Sequence, residues 1–113
     1  IVYEAVNRLI SEIDVLIFQD YNKGLLTSGL IRRVISLCQK HNVPMVVDPK
    51  FNNFFEYEGV TLFKPNKKEL LQAENISESL NIAQVKAVAE EVRIKLKASK
   101  VMTTLSEDGV IIL

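Results

Sequence analysis

Val60-Thr61-Leu62-Phe63-Lys64-Pro65-Asn66-Lys67-Lys68-Glu69-Leu70-Leu71 runs from an apolar, strand-like stretch into a helix-like one that continues to about Ala73. The junction gathers an amide, a carboxylate and three ammonium groups where the strand ends. Free backbone N–H groups and the helix dipole make such a place attractive to anions such as phosphate. Asn66-x-x-Glu69 is also the pattern of a helix capping box. A strand that feeds a helix in this way is the unit of an α/β fold, and the rest of the chain repeats it.

Upstream, Asp14-Val15-Leu16-Ile17-Phe18 is a continuous apolar run, expected to be a strand buried on both faces of a parallel sheet. Thr27 caps a helix whose Leu30, Ile31, Val34, Ile35 and Cys38 form one stripe, ending near His41-Asn42 before Pro44. Val43 to Val47 reads as a second buried strand, and Phe51 to Glu58 as a short irregular or helical link. Phe51, Phe54, Phe55 and Tyr57 read as a small packing cluster. Ile1 to Ile13 reads as an amphipathic helix with Val2, Val6, Leu9 and Ile13 on one stripe.

Downstream, Ser77 or Ser79 precedes a longer helix near Asn81 to Ala98, with Ile82, Val85, Val88, Ala89, Val92 and Leu96 inward. Lys100 to Leu105 is a fourth strand, and Glu107-Asp108-Gly109 turns into a fifth, forming a hairpin. The fold class is α/β with a Rossmann-like, mostly parallel sheet and a C-terminal β-hairpin. The 113 residues carry 14 Lys and Arg against 14 Asp and Glu, so no global field favours nucleic acid. No apolar run approaches the roughly 20 residues of a membrane helix. The single Cys38 precludes an internal disulfide and fits a reducing cytoplasm. Both ends look cut, the last inside the apolar strand Val110-Ile111-Ile112-Leu113, so the chain is expected to be an internal piece of a longer protein.

In open parallel sheets, ligands bind just beyond the carboxyl ends of the strands. Here those ends carry Asp20, Lys23 and Gly24, then Asp48 and Lys50, then Lys64 and Asn66, then Thr103, Thr104 and Ser106. Acids, ammonium groups and hydroxyls are the inventory for a phosphorylated ligand with a divalent metal. Asp20 could hold sugar hydroxyls and Lys23 a phosphate, while Pro49 stiffens the exit that aims Lys50. Each of these segments is also compatible with an ordinary solvated loop.

Taken in order, the segments resemble the ribokinase-like (PfkB) carbohydrate kinases. Asn66-x-x-Glu69 resembles that family's Asn-x-x-Glu motif, and Thr104-Leu105-Ser106-Glu107-Asp108-Gly109 its Thr-x-Gly-x-x-Gly-type nucleotide turn, with Ser106 where a glycine is usual. Asp20-Tyr21-x-Lys23-Gly24 and Val47-Asp48-Pro49-Lys50 narrow the resemblance to the heptose 7-phosphate kinase branch. The resemblance implies a three-layer sandwich, ATP and Mg2+ as cofactors, and a sugar phosphate as acceptor. It assigns ATP and phosphate binding to Lys50, Lys64, Asn66, Glu69, Thr104, Ser106 and Gly109, the metal to Glu69 through water, and substrate binding to Asp20 and Lys23.

The resemblance also implies that residues 1–113 are an internal fragment of such a kinase domain. The Gly-Ala-Gly-Asp segment, whose aspartate is the family's catalytic base, is expected beyond Leu113, and the amino-terminal sugar and lid part before Ile1. No catalytic residue is therefore assigned within the fragment, which alone is expected to be inactive. The resemblance leaves room for a homodimer and for a fused nucleotidyltransferase domain in the parent chain; no nucleic acid or membrane partner is expected. Two other readings remain: another sugar kinase of the same family, of ribokinase or fructose-phosphate kinase type, or a non-catalytic receiver-like or scaffold domain.

Overall fold

The computed structural model describes residues 1–21 and 24–113. Strands β1 (Leu16–Gln19), β2 (Met45–Asp48), β3 (Leu62–Phe63) and β4 (Lys100–Thr104) are parallel, and β5 (Val110–Ile112) returns antiparallel to β4. The five-stranded sheet has the order β1-β2-β3-β4-β5, the order of the sequence. Receiver domains follow the order 2-1-3-4-5, so the receiver-like reading is set aside.

The helices are α1 (Val2–Leu9), α2 (Ser28–Lys40), α3 (Lys67–Ala73) and α4 (Ile82–Leu96), and the last three each start at a side-chain cap. The Thr27 hydroxyl accepts from the Leu30 N–H at 3.2 Å, and α2 closes through Asn42 in the left-handed region at φ +57°. The cap of α4 is Asn81, not either of the preceding serines. Asn81 Oδ1 accepts from the Gln84 N–H at 2.8 Å, and Gln84 Oε1 from the Asn81 N–H at 2.9 Å, a complete capping box.

Register divides the sheet into two unlike faces. Phe18, Val47, Phe63 and Val101 align across the four parallel strands and are all buried, under Ile31, Val34 and Cys38 of α2 and Ala89 and Val92 of α4. On the opposite face Val46, Leu62 and Met102 are half-buried and Ile112 is exposed. Parallel crossovers of one hand, added in one direction, put every connecting helix on the same side. Among the described residues the chain therefore builds two of the three layers expected, a sheet and the helices on one face of it.

This geometry corrects several burial expectations. β1 is an edge strand, not one buried on both faces: Val15 is 47 % and Ile17 66 % exposed, because they project from the face without helices. Ile82, at the first turn of α4, and Leu9, on the outer side of α1, are exposed as well, and Ile10 takes the inward position. Phe54 and Tyr57 are buried while Phe51 and Phe55 are exposed, though the Phe55 ring still packs edge-on against Phe54 with centroids 5.0 Å apart. Phe54 meets Phe63 edge-on with centroids 4.9 Å apart. Cys38 is core as expected, and burial pushes its thiol up. Leu113, read as the last residue of the fifth strand, follows β5 directly. It stays paired to the sheet, its N–H donating to the Val101 carbonyl at 2.9 Å, and packs half-buried against the core.

Thr103 on β4 is fully buried, and its hydroxyl has no hydrogen-bond partner among the described residues. Such a group costs about 1–3 kcal/mol relative to a satisfied one. Thr103→Val, which replaces the hydroxyl by a methyl group of the same shape, is expected to stabilise the fold by about 1 kcal/mol in denaturant titrations. A loss of stability would show that the hydroxyl has a partner after all.

Candidate functional site

Asn66 and Glu69 form the complete capping box at the start of α3. Asn66 Oδ1 accepts from the Glu69 N–H at 2.7 Å, and Glu69 Oε1 accepts from the Asn66 N–H at 2.9 Å. The second carboxylate oxygen, Oε2, accepts from Lys50 Nζ at 3.1 Å. One carboxylate thus caps α3 and ties it to the exit of β2. That hydrogen bond is the main cause that raises the Lys50 ammonium above its ordinary pKa; the negative charges of Glu69, Asp48 and Asp20 act in the same sense.

Next to this pair, Lys64 Nζ lies 3.8 Å from Asp48 Oδ1, joining the ends of β3 and β2. Both side chains are about one-third exposed, so this contact contributes little to stability. It leaves ammonium groups and carboxylates alternating along the carboxyl edge of the sheet. Asp20, at the end of β1, is 3 % exposed, and its Oδ2 accepts from Tyr57 Oη at 2.8 Å and Asn53 Nδ2 at 3.0 Å. Burial, and then the bond to Asp20, push the Tyr57 phenol far above its ordinary pKa. Lys23 lies outside the described residues. Tyr21 is exposed, and Gly24 takes φ +85°, as expected for a tight turn.

The other half of the site is a cleft of about 1070 Å³ between α3 and the β4–β5 turn. Asn66, Thr104, Ser106 and Gly109 all line it. The Thr104 N–H donates to the Pro65 carbonyl at 3.2 Å, so the cap of α3 and the end of β4 are stitched together. Lys50, Lys64, Glu69 and Asp20 do not line this cleft and form the neighbouring polar group on the β1–β3 side. Leu113 belongs to neither group and is a packing residue. The cleft also takes Lys67, Lys68, Leu71 and Gln72 from α3. The first two were visible in the sequence as charges; Leu71 and Gln72 read only as parts of the helix.

Among the described residues, no group of three or more His, Cys, Asp or Glu side chains is gathered to hold a metal ion. The Glu69 carboxylate, beside a cleft with amide, hydroxyl and ammonium groups, suits a magnesium ion that keeps its waters and is held mainly by phosphate oxygens. The residues present therefore fit a hydrated Mg2+–nucleotide, and they do not fit a metal caged by protein alone.

Ser106 has φ +58° and Gly109 φ +101°, ψ −143°. The left-handed geometry at 106 gives a physical reason for the glycine usual there in the kinases that this turn resembles. The turn closes by the Leu105 N–H donating to the Gly109 carbonyl at 2.8 Å. Two substitutions in this one turn are expected to act in opposite directions. Ser106→Gly removes the left-handed strain and raises stability by about 0.5 kcal/mol, while Gly109→Ala costs about 1–3 kcal/mol. A Cβ at Gly109 would meet nothing within 4 Å, so that cost is one of backbone conformation alone. Thermal melts of the two variants check the signs.

No protein-family model matches the chain. It is 36 % identical over 116 residues to the bifunctional protein HldE of Sulfurimonas denitrificans, an alignment that covers 99 % of this chain and 23 % of that protein. The chain thus spans less than a quarter of that relative's length. It superposes on phosphofructokinase-2 from Escherichia coli in complex with potassium with a TM-score of 0.80 at 22 % identity, covering 98 % of this chain and 38 % of the other. Arabidopsis thaliana ribokinase, solved with ribose and ATP, gives a TM-score of 0.76 at 14 % identity, covering 97 % and 35 %. No helix among the described residues is long and apolar enough to cross a membrane. The resemblance carried by the four motifs therefore holds: the chain has the ribokinase-type α/β fold and is similar, over nearly its whole length, to a segment of the bifunctional HldE proteins.

Proposed function

We propose that the chain is part of an ATP-dependent sugar kinase and supplies the nucleotide half of its site. The observation that carries this reading is the single cleft shared by Asn66 of the α3 cap and Thr104, Ser106 and Gly109 of the β4–β5 turn. It lies at the carboxyl edge of a parallel sheet, where such folds bind ligands. The similarity to HldE and the motif pattern around Asp20 and Asp48 favour D-glycero-β-D-manno-heptose 7-phosphate as acceptor, phosphorylated at O1 in ADP-heptose and lipopolysaccharide core biosynthesis.

In this reading the sugar hydroxyl oxygen attacks the γ-phosphorus in line, ADP leaves, and the hydroxyl proton passes to an aspartate of the parent chain beyond Leu113. Positioning and charge neutralisation supply most of the rate. Lys64 and Asn66 touch the nucleotide phosphates, and Thr104, Ser106 and Gly109 line the nucleotide side. Glu69 would hold a hydrated magnesium ion, whose charge would offset that of the phosphates. Lys50, released from its pair with Glu69, approaches the transferred phosphoryl group. Asp20, on the side away from the cleft, faces the sugar phosphate, a role that the motif also gives to Lys23.

Glu69→Gln in the full-length parent keeps a side chain able to cap but removes the negative charge. Turnover is expected to fall by about a hundredfold or more, with a stability change within about 1 kcal/mol. Persistent activity with a lowered melting temperature would leave Glu69 as a cap alone. Assayed across a sugar panel, the parent is expected to prefer the heptose 7-phosphate over ribose and fructose 6-phosphate by kcat/KM. A preference for either of the latter would assign it to another branch of the same kinases.

A further inference from the structure

The Asp20 carboxylate is buried at the end of β1, where an apolar side chain would fill the space without the cost of desolvating a charge. Its Oδ2 is held by two donors from one short segment: Asn53, in the 3-10 turn Phe51–Glu56, and Tyr57 immediately after that turn. The Tyr57 ring is fully buried and packs edge-on against Phe18 of β1, with centroids 5.4 Å apart, so its hydroxyl cannot swing away from Asp20. Asn53 does more. Its Nδ2 donates both to Asp20 Oδ2 at 3.0 Å and to the Leu26 carbonyl at 2.7 Å, which uses both hydrogens of the amide.

Asp20 and Leu26 are the two ends of the connection between β1 and α2, and one amide joins them. The segment carrying that amide starts directly after Lys50, and Asp20 is one of the negative charges acting on the Lys50 ammonium. We propose that Asn53 and Tyr57 are positioning residues that staple the β1–α2 connection to the segment after Lys50. They thereby set the acceptor side of the site and its distance from the phosphate side. The assignment to the acceptor rests on the kinase reading above; the staple itself does not. Asn53 and Tyr57 touch neither ligand in this proposal and act through Asp20 and the backbone at Leu26.

The test uses the full-length parent. Asn53→Ala is expected to raise KM for the acceptor sugar phosphate about tenfold, leave KM for ATP within about twofold, and speed amide exchange at Gly24, Leu25 and Leu26 about tenfold. Asn53→Asp keeps the shape but sets a second carboxylate against the buried Asp20, and is expected to lose more than Asn53→Ala. Tyr57→Phe keeps the packed ring and removes one donor, giving a smaller change in the same direction. An equal rise of both KM values with a lowered melting temperature, or unchanged exchange at Gly24–Leu26, would overturn the proposal. If the unaltered parent phosphorylates no sugar, the kinase reading fails on its own account. Exchange then decides the staple: faster exchange in Asn53→Ala supports it, and unchanged exchange overturns it.

Discussion

The Glu69 carboxylate holds the site together. Through Oε1 it completes the cap of α3, and through Oε2 it binds Lys50 at the exit of β2. A cap fixes where a helix begins and in which direction its first N–H groups point. Because the same side chain also grips Lys50, the start of α3 is fixed relative to β2 as well as to its own strand. The bond from the Thr104 N–H to the Pro65 carbonyl then adds β4. Three strand ends and one helix end are in this way locked by a few polar contacts, and the cleft between α3 and the β4–β5 turn takes its shape from them.

This arrangement would let a capping box and the proposed ligand site share the same residues. Capping uses the Asn66 side-chain oxygen and one oxygen of Glu69, and leaves the Glu69 oxygen that faces Lys50 open to exchange of partner. A hydrated cation or a phosphate can compete for the Lys50–Glu69 pair without unwinding α3. The capping role and the proposed chemical role would thus fall on two atoms of one side chain, and a substitution that separates charge from hydrogen bonding can tell them apart.

Much of the fold was legible in the sequence because its signals are local. Apolar runs, Thr27, Pro44 and Asn66-x-x-Glu69 each act within a few residues, and each lies in or at the end of the element expected. Burial was read less well, since the face that a strand turns to solvent depends on which side the helices take. Ile17 is as apolar as Val47, and only the common hand of the crossovers exposes one and hides the other. Of the residues assigned to ATP and phosphate, Asn66, Thr104, Ser106 and Gly109 line one cleft, while Lys50, Lys64 and Glu69 stand outside its lining. The burial of Asp20 could not be read in advance. Its donors, Asn53 and Tyr57, are far along the chain, in a segment whose aromatic composition signalled packing and concealed a phenol with a polar task.

The strand order carries a kinetic consequence. Every strand of the sheet pairs with the strand before or after it in the sequence, whereas a doubly wound sheet must bring its first strand between later ones. Contacts of short sequence separation are made with little loop-closure entropy and favour rapid folding. A chain leaving the ribosome can add each strand to a growing edge as it emerges, in the order of synthesis. Among the described residues, each strand meets its partner within one connection of the chain.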